Sequence, residues 1–541
     1  MKKISLFILC LLSLAGCQKD FLDRRPNGVL RGEDFGQTEA DAVALVANIY
    51  STIAKKDNEI SMVILGDMAS DDATKGGGSA ADGAFAADVE FFRPLTDNGA
   101  LGPWWSFCYR GITDANYALT RLPDMPIDPA ISQRLVAEAR FLRAFYYFRL
   151  VRVFGGVPLV TRPLFVEDYG TKRNTRDEVR DFIVKELEEC AAILPGRDKI
   201  VQNTEYGRAT RDAANALLAR VCLFFAYGNA ENAARNTQML TKARDAALAV
   251  INAPYGYRLD PDFGKVFRRE GDGNAEIVWE IMHTESGVNA ETGGSILGIY
   301  TRCRNSGGWG FNCPTIDLYD AFKTGDKRLL YTVIDNGDVF ENEKQNHLGY
   351  AGSGFHSRKT FLTLSKRPKS GHDNNLNYRV LRLSAVYLMY AEALIELNEN
   401  LPLAMEYVNK VRSRAYVTTP NRDPEATLRK IHTDPRNIAV SAAEFEQLYR
   451  ARATTQAEAR AALRNELRLE MAMESERYYD LVRWRTAETV LKKFADIKGV
   501  NGLPLYGDKG IHFDAQKNYV MPIPQIQIDL TNNAITQNPG Y

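Results

Sequence analysis

Residues 137–160 read AEARFLRAFYYFRLVRVFGGVPLV. Ala137, Phe141, Ala144, Phe145, Phe148 and Val151 recur at i, i+4, i+7, i+8, i+11 and i+14, a wide apolar stripe on one face of a helix. Gly155-Gly156 and Pro158 then break the helix. The same rhythm runs over 40–54, 105–122, 176–194, 211–226 and 240–251, with Pro195-Gly196 as another stop. These segments predict antiparallel helix pairs and a mainly α fold.

The pattern returns at Leu383, Val386, Tyr387, Tyr390, Ala391 and Leu394, turns at 398–402, and continues through Ala404, Val408 and Val411. Small residues at Ala391 and Ala404 suit a close approach of two helices. The unit resembles a tetratricopeptide (TPR) hairpin, although no clean 34-residue repeat runs along the chain. The expected architecture is therefore a TPR-like scaffold of divergent helix pairs.

Between the two helical stretches the composition changes. Residues 253–378 hold 17 of the chain's 40 glycines, with many Asn and Asp and little helical period. Connections this long are usually functional or disordered. The β-like run 276–282 favours order, so this stretch reads as an irregular, glycine-rich insertion with short strands.

The N-terminus bears on compartment. Met1-Lys2-Lys3, an apolar run over 4–14, and Leu14-Ala15-Gly16-Cys17 make a secretory signal too short to span a bilayer. Its ending is similar to the lipobox of bacterial lipoproteins, in which the cysteine is acylated. Lipid on Cys17 would anchor the protein to a membrane at ~0.8 kcal/mol per buried methylene. The expected segments are a signal peptide (1–16), a lipidated arm (17–36), a helical half (37–252), the insertion (253–378), and a second helical half with a C-terminal tail (379–541). Cys303 and Cys313 bracket a glycine-rich loop, and both a disulfide and two free thiols fit their spacing.

The 541 residues carry 68 basic and 68 acidic side chains, leaving no overall field for nucleic acid. Six scattered histidines form no HExxH or HxH cluster, and no metal site or cofactor is expected. Signatures for a nucleophile elbow, a P-loop and a dinucleotide fold are absent from the sequence.

Several stretches, in order, resemble the SusD/RagB family of nutrient-binding outer-membrane lipoproteins. They are Asp20-Phe21-Leu22-Asp23 with Pro26, the run 141–148 continuing through 154–160, and Tyr390-Ala391-Glu392-Ala393 with residues 408–412. Residues 474–484 and the ending Pro522-Ile523-Pro524 with residues 537–541 complete the set. The resemblance implies a TPR-like α fold with an irregular ligand-binding region. It also implies capture of a glycan, or in some members a peptide, at the cell surface. A SusC-like TonB-dependent transporter would be the partner that receives it. Gly156 stands where the family often has Asp, an exchange expected to be neutral.

Glu466, Glu470 and Glu474, four apart, stack carboxylates on one helix face. Arg464, Arg468, Arg477, Arg483 and Arg485 crowd the same segment and predict a structural ion network. The E-x-x-H at Glu280 and His283 falls in a strand-like run, where residues three apart face oppositely. Asp71-Asp72 suits a glycoside hydrolase only if two acids are held ~5–9.5 Å apart, and a secreted hydrolase is the less favoured alternative to a binding protein.

Sugar binding asks for exposed rings and planar polar groups on loops. In the run 300–313, Trp309 sits between glycines that cannot cover it, so it is either exposed to a ligand or packed on a neighbour as a loop anchor. Tyr300, Arg302, Arg304, Asn305, Trp309 and Phe311 are therefore candidate ligand contacts. A second region, 71–105, adds Asp71, Asp72 and Trp104, with Trp105 assigned to packing. In the family these two regions tend to converge on the binding face.

Overall fold

In the computed structural model, which describes residues 36–164, 170–200, 205–285, 293–346, 353–370, 374–498 and 504–541, the apolar stripe forms one helix. That helix, Pro129–Phe154, starts where the Asp128 side chain accepts the Ala130 N–H at 2.7 Å, with Pro129 in the first turn where no N–H is needed. Gly155 ends it at φ 71°. At Gly156 a β carbon would lie 2.3 Å from the Asn174 carbonyl oxygen. The exchange for Asp is therefore not neutral, because any side chain there displaces the neighbouring backbone. The signal segment, Cys17 and the N-terminal arm fall outside the described residues.

The main helices are α1 (Glu39–Ile53), α2 (Lys56–Val63), α3 (Ala84–Glu90), α4 (Leu101–Arg121), α5 (Pro129–Phe154), α6 (Arg176–Ile193), α7 (Arg211–Ala226), α8 (Thr237–Ile251), α9 (Leu297–Tyr300), α10 (Leu383–Leu397), α11 (Leu401–Ser413), α12 (Gln456–Met471) and α13 (Arg477–Trp484). Thr38, Thr175 and Thr455 each close a capping box that starts α1, α6 and α12. Successive helices pack in pairs from α4 to α8, and α8 then packs on α10. The helical stack thus runs on across residues 253–378, and a single apolar core holds residues from both helical stretches. The fold is mainly α, as the apolar periodicity predicts. Among the described residues no helix is long and apolar enough to cross a membrane.

The strands are short: β1 (Ala73–Gly76), β2 (Ile277–Ile281), β3 (Phe311–Pro314), β4 (Val333–Ile334), β5 (Val339–Phe340), β6 (Glu343–Lys344), β7 (His356–Ser357), β8 (Tyr378–Arg382) and β9 (Ala426–Leu428). They pair antiparallel as β1 with β3, β2 with β8, β4 with β7, and β5 with both β6 and β9. Strand β2 lies against the scaffold through Trp279, whose ring meets Phe141 and Phe145 edge-on at 4.9 and 5.1 Å. A second core, including Phe263, Phe267, Leu318, Leu330 and Phe355, forms under the insertion and borrows Leu469 and Met473 from the last helical region.

The acidic ladder is buried, but its partners are not the nearby arginines. α12 ends at Met471, so Glu474 lies beyond the helix. Arg382 donates to Glu276 (2.8 Å), Glu470 (2.9 Å) and Glu474 (2.8 Å). Arg414 reaches Glu470 at 2.6 Å and Arg328 reaches Glu466 at 2.6 Å. Helix geometry explains the difference: positions 466 and 470 face inward towards residues from distant segments, whereas Arg464 and Arg468, two positions off, face other neighbours. Arg464 pairs with Glu231 (3.0 Å) and Arg483 with Glu392 (2.8 Å). Glu280 pairs with Arg379 (3.4 Å) and His283 with Glu59 (3.2 Å), so the E-x-x-H residues act apart.

Cys303 and Cys313 are both buried free thiols, one of the two alternatives that their spacing left open. Cys313 sits in β3, where its Sγ faces the Gly310 carbonyl (3.3 Å) and the His356 Nδ1 (3.9 Å). Burial pushes its thiol up to about 12.

Candidate functional site

The β1–β3 ladder brings the two glycine-rich regions together. Ala73 pairs with Pro314, Thr74 with Cys313 and Gly76 with Phe311. Past the ladder, the Gly77 N–H donates to the Gly310 carbonyl at 2.8 Å. Beside this junction opens a groove of about 740 Å³, open solvent included. Ile60 of α2, Asp82, Gly83 and Phe85 line one side, and Tyr300, Arg304, Trp309 and Phe311 line the other.

The aromatic groups are connected, with Tyr300 and Phe311 buried in the core and Trp309 resting on them at the groove. Tyr300 stacks on Phe311 with centroids 4.8 Å apart and planes 16° apart, and Trp309 meets Tyr300 edge-on at 6.1 Å. The Phe311 ring has room because residues 77 and 83 are glycines, at which a β carbon would lie 2.7 and 2.9 Å from its Cε1. Trp309 is half-buried, its backbone N–H donating to the Ile299 carbonyl at 2.8 Å. Glu59 holds the entry to α9, and through it Tyr300, by accepting the Ser295 hydroxyl and the Ile296 N–H, both at 2.8 Å.

Two charged side chains complete the groove. Arg304 Nη1 donates to Asp82 Oδ2 at 3.3 Å and to the Trp309 carbonyl at 3.1 Å, so it ties the loops across the groove. Asp82 Oδ2 also accepts the Gly78 N–H at 2.7 Å. Such a surface can stack on the apolar face of a pyranose and exchange hydrogen bonds with hydroxyls. Among the described residues lining the groove, Asp82 is the one acid, whereas glycoside hydrolysis pairs two.

Tyr300, Arg304, Trp309 and Phe311, expected from sequence, meet around this groove, Arg304 and Trp309 at its surface and Tyr300 and Phe311 buried beneath them; the other candidates do not. Trp104 is 1% exposed, donates its indole N–H to the Arg149 carbonyl at 3.3 Å and lies under the Arg149 guanidinium at 4.4 Å. It is a core residue, as is Trp105. Asp71 and Asp72 are fully buried ion-pair partners of Arg477 and Arg468, each at 2.8 Å. Burial alone would raise the Asp71 carboxyl, but Arg468 and Arg477 hold it well below the usual range.

Arg302 is buried, donates to the Gly307 carbonyl at 3.2 Å, and is pushed down to about 10 by burial and by the nearby Arg367. Asn305 is exposed, yet both ends of its amide are engaged. They bind the Lys344 carbonyl (2.7 Å) and the Asn346 N–H (3.0 Å).

Ile60, Asp82, Gly83 and Phe85 are the residues that sequence reasoning missed. Phe85 carried a usable signal, an aromatic two positions after a glycine in the second glycine-rich region; Ile60, within a helical pattern, carried none. A larger hollow of about 1070 Å³ lies beside Arg197, Tyr206, Tyr255, Trp279 and Glu280. Its polar groups are largely engaged. Arg197 donates to the carbonyls of Gly273, Asn274 and Ile277, and Glu280 accepts from the Tyr206 hydroxyl and the Gly273 N–H.

Two family models match the chain, "SusD family" over residues 275–541 and "Starch-binding associating with outer membrane" over residues 20–223. SusD-like protein P2 of Formosa agariphila is 26% identical over 567 aligned residues that span the whole of both chains. A solved laminarin binding SusD-like protein matches with a TM-score of 0.73 at 25% identity, over 93% of this chain and all of that one. Surface glycan-binding protein A from Bacteroides thetaiotaomicron, solved in complex with laminarihexaose, gives 0.71 at 20% identity, over 92% of this chain and 99% of that one, a likeness of fold alone.

Proposed function

The chain belongs to the SusD family, and from that premise we propose that it is a non-catalytic, cell-surface glycan-binding lipoprotein of the outer membrane. Lipid on Cys17 tethers it, the groove captures an oligosaccharide, and a SusC-like TonB-dependent transporter receives the cargo. The observation that carries the binding step is the half-buried Trp309 ring at an open groove, propped from beneath by the buried Tyr300 and Phe311, with Asp82 and Arg304 beside it. The Trp309 ring excludes water from a sugar's apolar face, and the ion pair supplies an acceptor and donors for its hydroxyls. The family description "Starch-binding associating with outer membrane" and the laminarin-binding neighbour support the ligand class. The Leu14-Ala15-Gly16-Cys17 ending supports the anchor.

Calorimetry or affinity electrophoresis against a panel of oligosaccharides tests the reading. Removing a central aromatic anchor typically costs about 2 kcal/mol, roughly thirtyfold in affinity. A folded Trp309→Ala variant should lose that much for the best-bound glycan. Undiminished binding by that variant, release of shortened products from the glycan, or binding of peptides alone would sink the proposal.

A further inference from the structure

We propose that Asp82 is a specificity-determining residue that restricts the groove to uncharged glycans; this rests on the glycan-binding reading above. The groove carries no net charge among its described lining residues, because Arg304, its one cation, is paired with Asp82 at 3.3 Å. The nearby Lys75 is a buried residue whose ammonium donates to the Ser79 and Asp82 carbonyls at 3.0 and 2.6 Å and lies 5.8 Å from the Phe311 ring. It is engaged by these carbonyls and is not among the residues that line the groove. A uronate or sulfate entering here meets a carboxylate, and the one cation among the described lining residues is already paired with it. A neutral sugar meets the same carboxylate as an acceptor for its hydroxyls.

Asp82 is also held in place. Its carboxylate takes the Gly78 N–H at 2.7 Å, its own N–H donates to the Ser79 hydroxyl at 3.2 Å, and its carbonyl is fixed by Lys75. Swinging the side chain away from a repelled anion therefore gives up the Gly78 bond. Asn at this position keeps an acceptor for Gly78 while removing the charge, so Arg304 becomes available to an acidic ligand.

The test titrates the full mature protein and its Asp82→Asn variant with matched-length oligosaccharides, neutral (glucan, xylan, mannan) and acidic (galacturonan, alginate, sulfated galactan). The tightest ligand of the unaltered protein should be neutral, with an affinity little changed by salt. The variant should bind the acidic series more tightly, by about fivefold, the scale of one exposed charge pair, and that gain should fade as salt is raised. An acidic oligosaccharide as the tightest ligand, or a neutral-to-acidic ratio unmoved by Asp82→Asn, overturns the inference. In either case, loss of binding in Trp309→Ala would leave the glycan reading standing. If no probe of either series binds, both fall together.

Discussion

The backbones of Gly76 and Gly310 meet so closely that a β carbon on Gly76 would lie 2.2 Å from the Gly310 carbonyl oxygen. Both residues hold positive φ, 72° and 74°. This contact fastens the loop bearing Asp82 and Phe85 to the loop bearing Arg304 and Trp309, and so makes one groove from two distant stretches of chain.

Gly76→Val should therefore part the loops. The variant places a side chain where only backbone fits and strains φ as well, which together cost about 1–3 kcal/mol. The groove should open and glycan affinity should fall with the stability loss. Urea unfolding together with calorimetry checks this, and a variant that binds as tightly as the parent would show that the junction does not shape the site.

Trp104 and Trp309 should give opposite results. Trp104→Ala empties a core position and should cost about 3–5 kcal/mol of stability. Trp309→Ala, at a half-buried groove position, should cost much less stability and most of the binding. Denaturation midpoints of the two variants, with binding measured where each is folded, decide the matter; matched stability losses would mean that Trp309 is a loop anchor.

The sequence made the helices legible because their apolar residues repeat at helical spacing and their ends carry Thr caps, Pro and Gly. It made half of the groove legible because Trp309 lies between glycines. The other half depends on the β1–β3 pairing, a long-range contact that no local pattern encodes. Asp71, Asp72 and Trp104 misled for the same reason: their partners Arg477, Arg468 and Arg149 come from elsewhere in the chain. Local charge counting likewise identified an ion network around Glu466 and Glu470 and named the wrong arginines.

That network gives a further expectation. Arg382→Met leaves Glu276, Glu470 and Glu474 buried with one cation fewer, and breaking a buried pair from one side costs about 3–5 kcal/mol. Lys492→Ala, which removes an exposed i,i+4 pair with Glu488, should cost under about 0.5 kcal/mol. Chemical denaturation of both variants reads the contrast, and equal losses would contradict the burial argument.

Stability should also fall steeply in acid. Burial alone would raise the Glu425 carboxyl, but Arg268, Arg358 and Lys366 hold it at about 2 in the folded protein. Asp423 and Glu470 are held below their ordinary values in the same way, by Arg358 and Arg429 and by Arg414 and Arg382. Because each folded value lies below the unfolded one, the unfolded chain binds more protons in between. The stabilisation is therefore complete above the ordinary carboxylate range and is lost as pH falls through the folded values. Asp67 works in the opposite sense. Burial pushes it up to about 7, so ionising it costs stability as pH rises from its ordinary value towards neutrality. The thermal midpoint should accordingly peak near about pH 5 and drop sharply below that. Glu425→Gln should be less stable than the parent at neutral pH and converge on it near pH 2. Circular dichroism melts across pH 2–8 test this, and a Glu425→Gln curve that ran parallel to the parent throughout would remove Glu425 from the acid response.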